Sequence, residues 1–445
     1  MSQLRVAVVG AGPSGFYACE ELLKSGDPEV HVDLYDALPT PYGLVRYGVA
    51  PDHQKIKNVT AVFEKIMRDP RLQFYGNVPV GQSEIDWMRK AYHAVLFTVG
   101  AQTDRRLGVA GEDLPGSDSA TDFVAWYNGH PDYLQRRFLL DQPRVAVVGV
   151  GNVAIDVARI LLSGHERLSK TDIADHALEE LRHCAVREVH ILARRGPAQA
   201  AFTNPELREL LEMEDLSFEI RPQELALDAF SQAALQAEPD KMVSKRLELL
   251  GQAQIRPGAS KKLVMRFLVS PLEIQGQDRV QGLKLGKNQL NEKLQASSTG
   301  ETEELDIGAI FRSIGYKGQP LGDLPFDPSK GIIPHDAGRV LGQPGLYVAG
   351  WIKRGPSGVI GTNKPCAKES VLSLLSDARE GKLEAPTGQP QAHLPAGRVD
   401  FDGWKRLDEF EIAQGASLGR PRVKVVERDS MVARAHGSAE EVAAR

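Results

Sequence analysis

A short apolar run that breaks into closely spaced glycines and then into a helix occurs twice in this chain, and it limits the fold more than any other feature. Residues 5–9 (RVAVV) end in Gly10-Ala-Gly-Pro-Ser-Gly15 and pass into helical spacing over 16–23. Residues 144–148 repeat the same five letters, end in Gly149-Val-Gly-Asn-Val-Ala154 and pass into helical spacing over 155–162, 139 residues further on. Strand, glycine turn and helix make the unit of parallel α/β sheets. Further buried-strand candidates at 30–35, 94–99, 186–192, 309–314 and 346–349 keep the alternation going. The more polar stretch 216–304 is expected to add antiparallel strands, with 262–269 and 280–285 among them, and helices to the second unit. Beyond Lys382 come a linker rich in Pro, Gly and Gln, a short helix near 404–412 and the basic run GRPRVK at 419–424. The fold expected is α/β, with two Rossmann-like dinucleotide-binding units.

A turn of this kind suits an anion. The first glycine permits the tight turn, the second lets the backbone approach a pyrophosphate, and the third lets helix and strand close up. The phosphates then meet the positive helix N-terminus. Gly10, Gly12 and Gly15, with Pro13 and Ser14 between them, fill these positions. The strand HVDLYD delivers Asp36, 21 residues after Gly15, where an acid accepts hydrogen bonds from a ribose.

In the second turn Gly149 and Gly151 precede Asn152 and Val153, and Ala154 replaces the third glycine, so its helix must stand slightly further off. The next strand ends in Arg194-Arg195 where the first has its acid. Two guanidiniums can clamp a 2'-phosphate, so NADP(H) is expected here. A flavin can store the hydride pair that NADPH gives up, which makes FAD the better expectation for the first site. A third glycine turn closes the run GLYVAG at Gly350, followed by Trp351 and RGPSGVIG at 354–361. Backbone N–H groups of Gly358, Val359 and Ile360 there can reach a flavin's carbonyl edge.

What the chain lacks narrows the chemistry further. Cys19, Cys184 and Cys366 stand far apart, with no dithiol, zinc or cluster spacing, so neither a disulfide reductase nor a metal site is expected. A formal net charge of -5 argues against a nucleic-acid binder. No apolar run nears the roughly 18 to 20 residues of a membrane span, and the N-terminus has no tripartite signal. A cytoplasmic monomer, clear of membranes, is expected.

Six segments carry a resemblance to a known family: GAGPSGFY at 10–17, PTPYGLVRYGVAPDHQKIKNV at 39–59, GVGNVAIDVAR at 149–159, RRGP at 194–197, FTNPELREL at 202–210 and GWIKRGPSGVIGTNK at 350–364. Through them nearly the whole chain resembles the adrenodoxin-reductase-like ferredoxin–NADP reductases. Gly350-Trp351 stands where more general two-dinucleotide flavoenzymes have Gly-Asp.

The resemblance implies an NADP domain, 105–319, inserted into an FAD domain made of 1–104 and 320–445, with FTVGA at 97–101 and FRSIGY at 311–316 as the two crossings. It implies that Leu44 and Val80 line the FAD site and that Trp351, Gly358, Val359 and Ile360 contact the isoalloxazine. Asn152 and Val153 are implied at the NADP pyrophosphate, Arg194, Arg195 and Glu206 at the adenosine end, and Gly358 also near the nicotinamide. Asp36 matches a position usually held by Glu, so its reach to the ribose is one methylene shorter and a bridging water fits. His53 and Glu209 are implied near the flavin, as part of a proton path or to orient a partner, because flavin reduction takes up a proton whereas ferredoxin takes only electrons. Arg208, Lys241, Lys245 and Arg246 match the basic stretch that meets an acidic ferredoxin.

The implied function is hydride exchange between NADPH and FAD, followed by one-electron transfers between FAD and ferredoxin. Two other readings stay open on sequence alone: an NADPH-dependent diaphorase or quinone reductase with a small acceptor, and a non-catalytic nucleotide-binding redox subunit.

Overall fold

The computed structural model describes residues 3–437. The first and second glycine turns each follow an inner strand of a separate sheet, and the third follows a strand of the first sheet. The first sheet has seven strands in the order His335–Asp336, Arg339–Val340, Leu346–Val348, Ala94–Phe97, Gln3–Val9, Glu29–Tyr35, Leu72–Tyr75. The last five run parallel, and the other two fold back antiparallel at the edge. Val6, Ala7 and Val8 are fully buried, because helices cover both faces of the sheet, and this is why the strand reads as an unbroken apolar run.

The second sheet has six strands, all parallel, in the order Ser117–Ser119, Ala309–Arg312, Arg144–Val148, Glu188–Leu192, Lys261–Arg266, Leu216–Ile220. The expectation for 216–304 is corrected here: Leu216–Ile220 and Lys261–Arg266 extend the parallel sheet, and only Val269–Gln275, Gly282–Leu290 and Ala296–Leu305 form an antiparallel one. The polar look of the fifth strand comes from its ends. Lys262 pairs with Glu219 at 3.0 Å, while Leu263, Val264 and Met265 are buried.

The chain passes between the sheets twice, and the two passages lie side by side, Thr103–Asp104 pairing antiparallel with Tyr316–Lys317. The helix Pro13–Leu23, which follows the first glycine turn, packs on Asn363–Arg379, which follows the third. Phe401–Ser417 seals the same core with Trp404 and Leu407. Among the described residues, no helix is long and apolar enough to cross a membrane.

Candidate functional site: two glycine turns and an ionised cluster between them

At the first turn the three glycines are held by different constraints. A Cβ on Gly10, whose φ is +110°, would stand 2.7 Å from the Thr98 carbonyl oxygen, and one on Gly15 would stand 2.0 Å from that of Gly10. Both positions therefore exclude a side chain. Gly12 faces open space, with nothing within 4 Å of its Cβ position, and it caps the following helix without a side-chain hydrogen bond. Open room before uncapped helix N–H groups is what a pyrophosphate needs, so these residues fit a dinucleotide. Pro13 occupies the first helical turn, where its missing N–H costs nothing.

Asp36 lies at this turn but is partly spoken for. Its Oδ2 accepts the Ala11 N–H at 2.8 Å and its Oδ1 the Leu38 N–H at 2.9 Å. Burial raises its pKa to about 6 against the pull of those two donors. Each carboxylate oxygen keeps a second lone pair for a ligand hydroxyl. Leu44 opens the short helix Leu44–Tyr47 beside Gly43, whose Cβ position is 3.0 Å from the Gly12 Cα. Val80 is half-buried against the core that contains Tyr35 and Trp87.

The third turn is wired directly to the first. Ser14 Oγ donates to Asn363 Oδ1 at 2.9 Å, and a Cβ on Gly350 would stand 2.1 Å from Ser14 Oγ. Arg354 reaches the same Asn363 oxygen at 2.8 Å. Trp351 begins the helix Trp351–Arg354, and its ring packs 5.3 Å from that of Tyr316 on the crossing ribbon. Past it, Gly358 has φ +80°, Val359 is 59% exposed and Ile360 leans on the first core.

The second turn repeats the first. Gly151 caps Asn152–Leu162 without a side-chain bond and has open space at its Cβ position. Gly149 packs against the Ser313 carbonyl, Val153 is half-buried against the second core, and Ala154 is fully buried. Arg194 and Arg195 lie just past Glu188–Leu192 and are both exposed. Their backbone is pinned, the Arg194 carbonyl accepting from Asn288 at 3.0 Å and that of Arg195 from the Leu268 N–H at 3.1 Å.

Backbone bonds carry this turn's geometry to the next helix. The N–H groups of Ala201 and Phe202 donate to the Val150 carbonyl at 3.0 and 3.1 Å, and that of Thr203 donates to Asn152 Oδ1 at 2.8 Å. The helix Asn204–Leu211 thus starts at the nucleotide turn, with Glu206 and Glu209 one turn apart on the same face.

That face meets His53. Its Nε2 lies 2.7 Å from Glu209 Oε2 and 3.4 Å from Glu206 Oε2, and its Nδ1 is 3.9 Å from Asp156. Beneath it the fully buried Arg159 guanidinium binds Asp52 at 2.8 and 2.9 Å, Asp156 at 2.8 Å and Glu206 at 3.4 Å. With Glu209 at 3.6 Å, four carboxylates stand within 4 Å of this one guanidinium. Burial works against the imidazolium of His53, but the Glu209 hydrogen bond and the neighbouring carboxylates outweigh it, and the pKa is raised. Burial, helped by Asp156, lifts Glu206 to about 7. Glu209, half-exposed and bonded to His53, is held below the usual carboxylate range against its own burial. His53, Glu206 and Glu209 offer ligand atoms within 4.8 Å of one another, yet the Arg159 guanidinium already answers their charge.

The geometry adds neighbours to two groups of expected residues. Glu206, implied at the adenosine end with Arg194 and Arg195, makes its contacts with His53 and Arg159, because it shares a helix face with Glu209. In the basic stretch the four side chains have different surroundings. Arg208 and Lys241 are exposed, but Lys245 pairs with Glu248 at 2.6 Å, and Arg246 lies over the Phe202 ring at 5.7 Å and donates to the Ala198 carbonyl at 3.4 Å.

Asp52, Asp156 and Arg159 were not singled out from the sequence. A signal was present: Asp156 and Arg159 interrupt the otherwise apolar helix AIDVARILL three residues apart, and charges on a buried helix demand partners. The partner in Asp52, 107 residues away, was not visible.

A scan against protein-family models finds no match. The chain is 46% identical over 440 residues to the NADPH-ferredoxin reductase FprA of Mycobacterium tuberculosis, covering 94% of this chain and 96% of that protein. It is 40% identical over 463 residues to the mitochondrial NADPH:adrenodoxin oxidoreductase of Salvelinus fontinalis, covering 97% of this chain and 91% of that one. Among solved structures, Mycobacterium tuberculosis FprA in complex with NADPH superposes with a TM-score of 0.91 at 44% identity, over 98% of this chain and 100% of its own.

Proposed function

The chain belongs to the adrenodoxin-reductase-like ferredoxin–NADP reductases, and from that premise we propose how its residues divide the work. The protein is an FAD-dependent oxidoreductase that passes electrons between NADPH and a ferredoxin-type iron–sulfur protein. When bound, FAD supplies the conversion between the hydride that NADPH carries and the single electrons that an iron–sulfur centre accepts.

In this reading Gly10, Gly12 and Gly15 hold the FAD pyrophosphate at the Pro13–Leu23 helix, and Asp36 takes the ribose with its free lone pairs. Leu44, Val80, Trp351 and the N–H groups of 358–360 surround the isoalloxazine. Gly149, Gly151, Asn152 and Val153 cradle the NADP pyrophosphate, while Arg194 and Arg195 bind the 2'-phosphate. Glu206 is assigned to the inner end of NADP, beside His53. His53 holds a proton at Nε2 against Glu209, at a place where flavin reduction takes one up; hydride transfer itself needs no acid or base.

One observation carries this division: His53, on the segment that follows the first turn, meets Glu206 and Glu209 on the helix stapled to the second. In this reading the reactive ends of both nucleotides lie at this meeting point. The domain boundaries proposed, 104/105 and 319/320, fall beside the ribbon of Thr103–Asp104 and Tyr316–Lys317. Arg208 and Lys241 are proposed as the exposed core of the ferredoxin-docking face. A monomer is proposed because one chain carries both nucleotide sites, and a cytoplasmic site of action because NADPH is supplied there.

The test is NADPH-driven cytochrome c reduction with and without added ferredoxin. Reduction that rises steeply with ferredoxin is expected. Equal rates without it would favour a small-acceptor reductase, and no bleaching of the bound flavin by NADPH would refute the reading.

A further inference from the structure

The basic run at 419–424 has no part in the scheme above, yet two of its three basic side chains are buried. Arg420 and Lys424 are only 8% and 5% exposed. The segment runs without regular secondary structure between Phe401–Ser417 and Arg428–Ala435.

Arg420 Nε donates to the Thr171 carbonyl at 3.0 Å, a second nitrogen bonds the Ile173 carbonyl, and a third pairs with Asp175 at 2.5 Å. All three partners lie within 105–319, the proposed NADP domain. Lys424 Nζ joins the two sides at once. It donates to the Arg46 carbonyl at 3.3 Å, next to the first turn, and to Asn128 Oδ1 at 3.2 Å, on the second unit. It also lies 3.7 Å from Asp172, whose carboxylate accepts from Lys57 Nζ at 2.6 and 2.8 Å. Lys57 is four residues beyond His53 on the same short segment. A Cβ on Gly129 would stand 2.8 Å from a Val426 methyl, so the Val426 side chain packs directly on the Gly129 backbone here.

We propose that residues 419–428 form a strap that positions the two nucleotide sites for hydride transfer, with Lys424 and Arg420 as its anchoring residues. The proposal rests on the functional reading above and deepens it. Two units joined by a pair of side-by-side crossings can hinge about them. The strap ties them at a second place, away from the crossings, and through Asp172 and Lys57 it steadies the segment that carries His53. Hydride transfer is steep in donor–acceptor geometry, so a small change in the angle between the units lowers the transfer rate without removing a contact to either nucleotide.

The test uses the holoenzyme and two variants: Lys424→Met, close in shape but unable to bond, and Arg420→Lys, which keeps its charge and loses part of its fork. Stopped-flow bleaching of the flavin by NADPH separates the limiting rate from the NADPH dissociation constant. The limiting rate is expected to fall about tenfold or more in Lys424→Met, and less in Arg420→Lys, with the dissociation constant within about twofold of wild type. Hydrogen exchange, which needs no NADPH, is expected to quicken at 50–58 and 171–175 and to stay unchanged in the central strands Gln3–Val9 and Arg144–Val148. Wild-type limiting rates in folded variants, a loss confined to NADPH binding, or exchange that quickens everywhere would each overturn the strap. If Lys424→Met does not fold, Arg420→Lys decides by the same criteria. Absence of bleaching in the wild type would instead refute the functional reading, and the exchange pattern would still test the strap.

Discussion

Replacing Arg194 and Arg195 with alanine should convert a strong preference for NADPH into near indifference. Both side chains are exposed, and their loop is held through backbone carbonyls, so the substitutions leave its anchoring bonds in place. A hydrogen bond to a charged group contributes about 1.5 to 3 kcal/mol, and two arginines would supply about 3 to 6 kcal/mol against a 2'-phosphate. Exposure and salt screening favour the lower end, which corresponds to roughly 10^2 in specificity. The assay is kcat/KM for NADPH and for NADH in wild type and in the double variant, with ferricyanide as acceptor so that ferredoxin docking plays no part. The NADPH/NADH ratio should drop by about 10^2, through a raised KM for NADPH, with NADH kinetics and Tm unmoved. A ratio that stays put would refute the 2'-phosphate assignment. Equal losses with both nucleotides would show that the arginines hold the loop instead of the phosphate.

Three further outcomes follow from the same geometry. Gly12→Ala should fold with an unchanged core and purify depleted in FAD, since its methyl enters open space at the helix cap; Gly15→Ala should lose stability even before cofactor is added, since its methyl meets the Gly10 carbonyl. Tm of the cofactor-free proteins and flavin content separate the two, and equal Tm losses would contradict the assignment. The His53–Glu209 pair gives a pH signature. The raised His53 pKa contributes stability that is complete below its usual value near 6.5 and is lost as pH rises through the folded value, whereas the lowered Glu209 pKa contributes above its usual 4.5 and is lost as pH falls through its folded value. The Tm gap between wild type and Glu209→Gln should therefore be widest between about pH 4.5 and 6.5 and close on the alkaline side; a gap independent of pH would mean the pair is not ionised. Arg208→Glu with Lys241→Glu should slow ferredoxin-dependent turnover several-fold and flatten its salt dependence, whereas Lys245→Gln, already paired with Glu248, should do little. Turnover of the double variant that falls with salt as steeply as wild type would place docking elsewhere.

The three glycine turns, the α/β class and the two arginines after the second turn were legible in the sequence because they are local. Backbone angles and a Cβ excluded by a neighbouring carbonyl act within a few residues, so spacing alone records them. Strand polarity in 216–304 was misread for the same reason. Lys262 marks the end of a buried parallel strand, and local alternation cannot tell an end from an exposed face.

The contacts between the segments around the turns depend on distance in space. His53 and Glu209 are 156 residues apart, Lys424 and Asn128 are 296 apart, and Ser14 and Asn363 are 349 apart. Each of these pairs is ordinary at sequence level, a histidine in a polar loop or a lysine in a basic tail. Burial turns them into obligations, because a desolvated charge or donor must find a partner, and only the packing of the two sheets selects which one. The sequence by itself determined the glycine turns and the pair of arginines after the second of them, because each is local. The tertiary structure decided which charges meet between those turns and which of the basic residues stay exposed, because burial and pairing depend on how the two sheets pack.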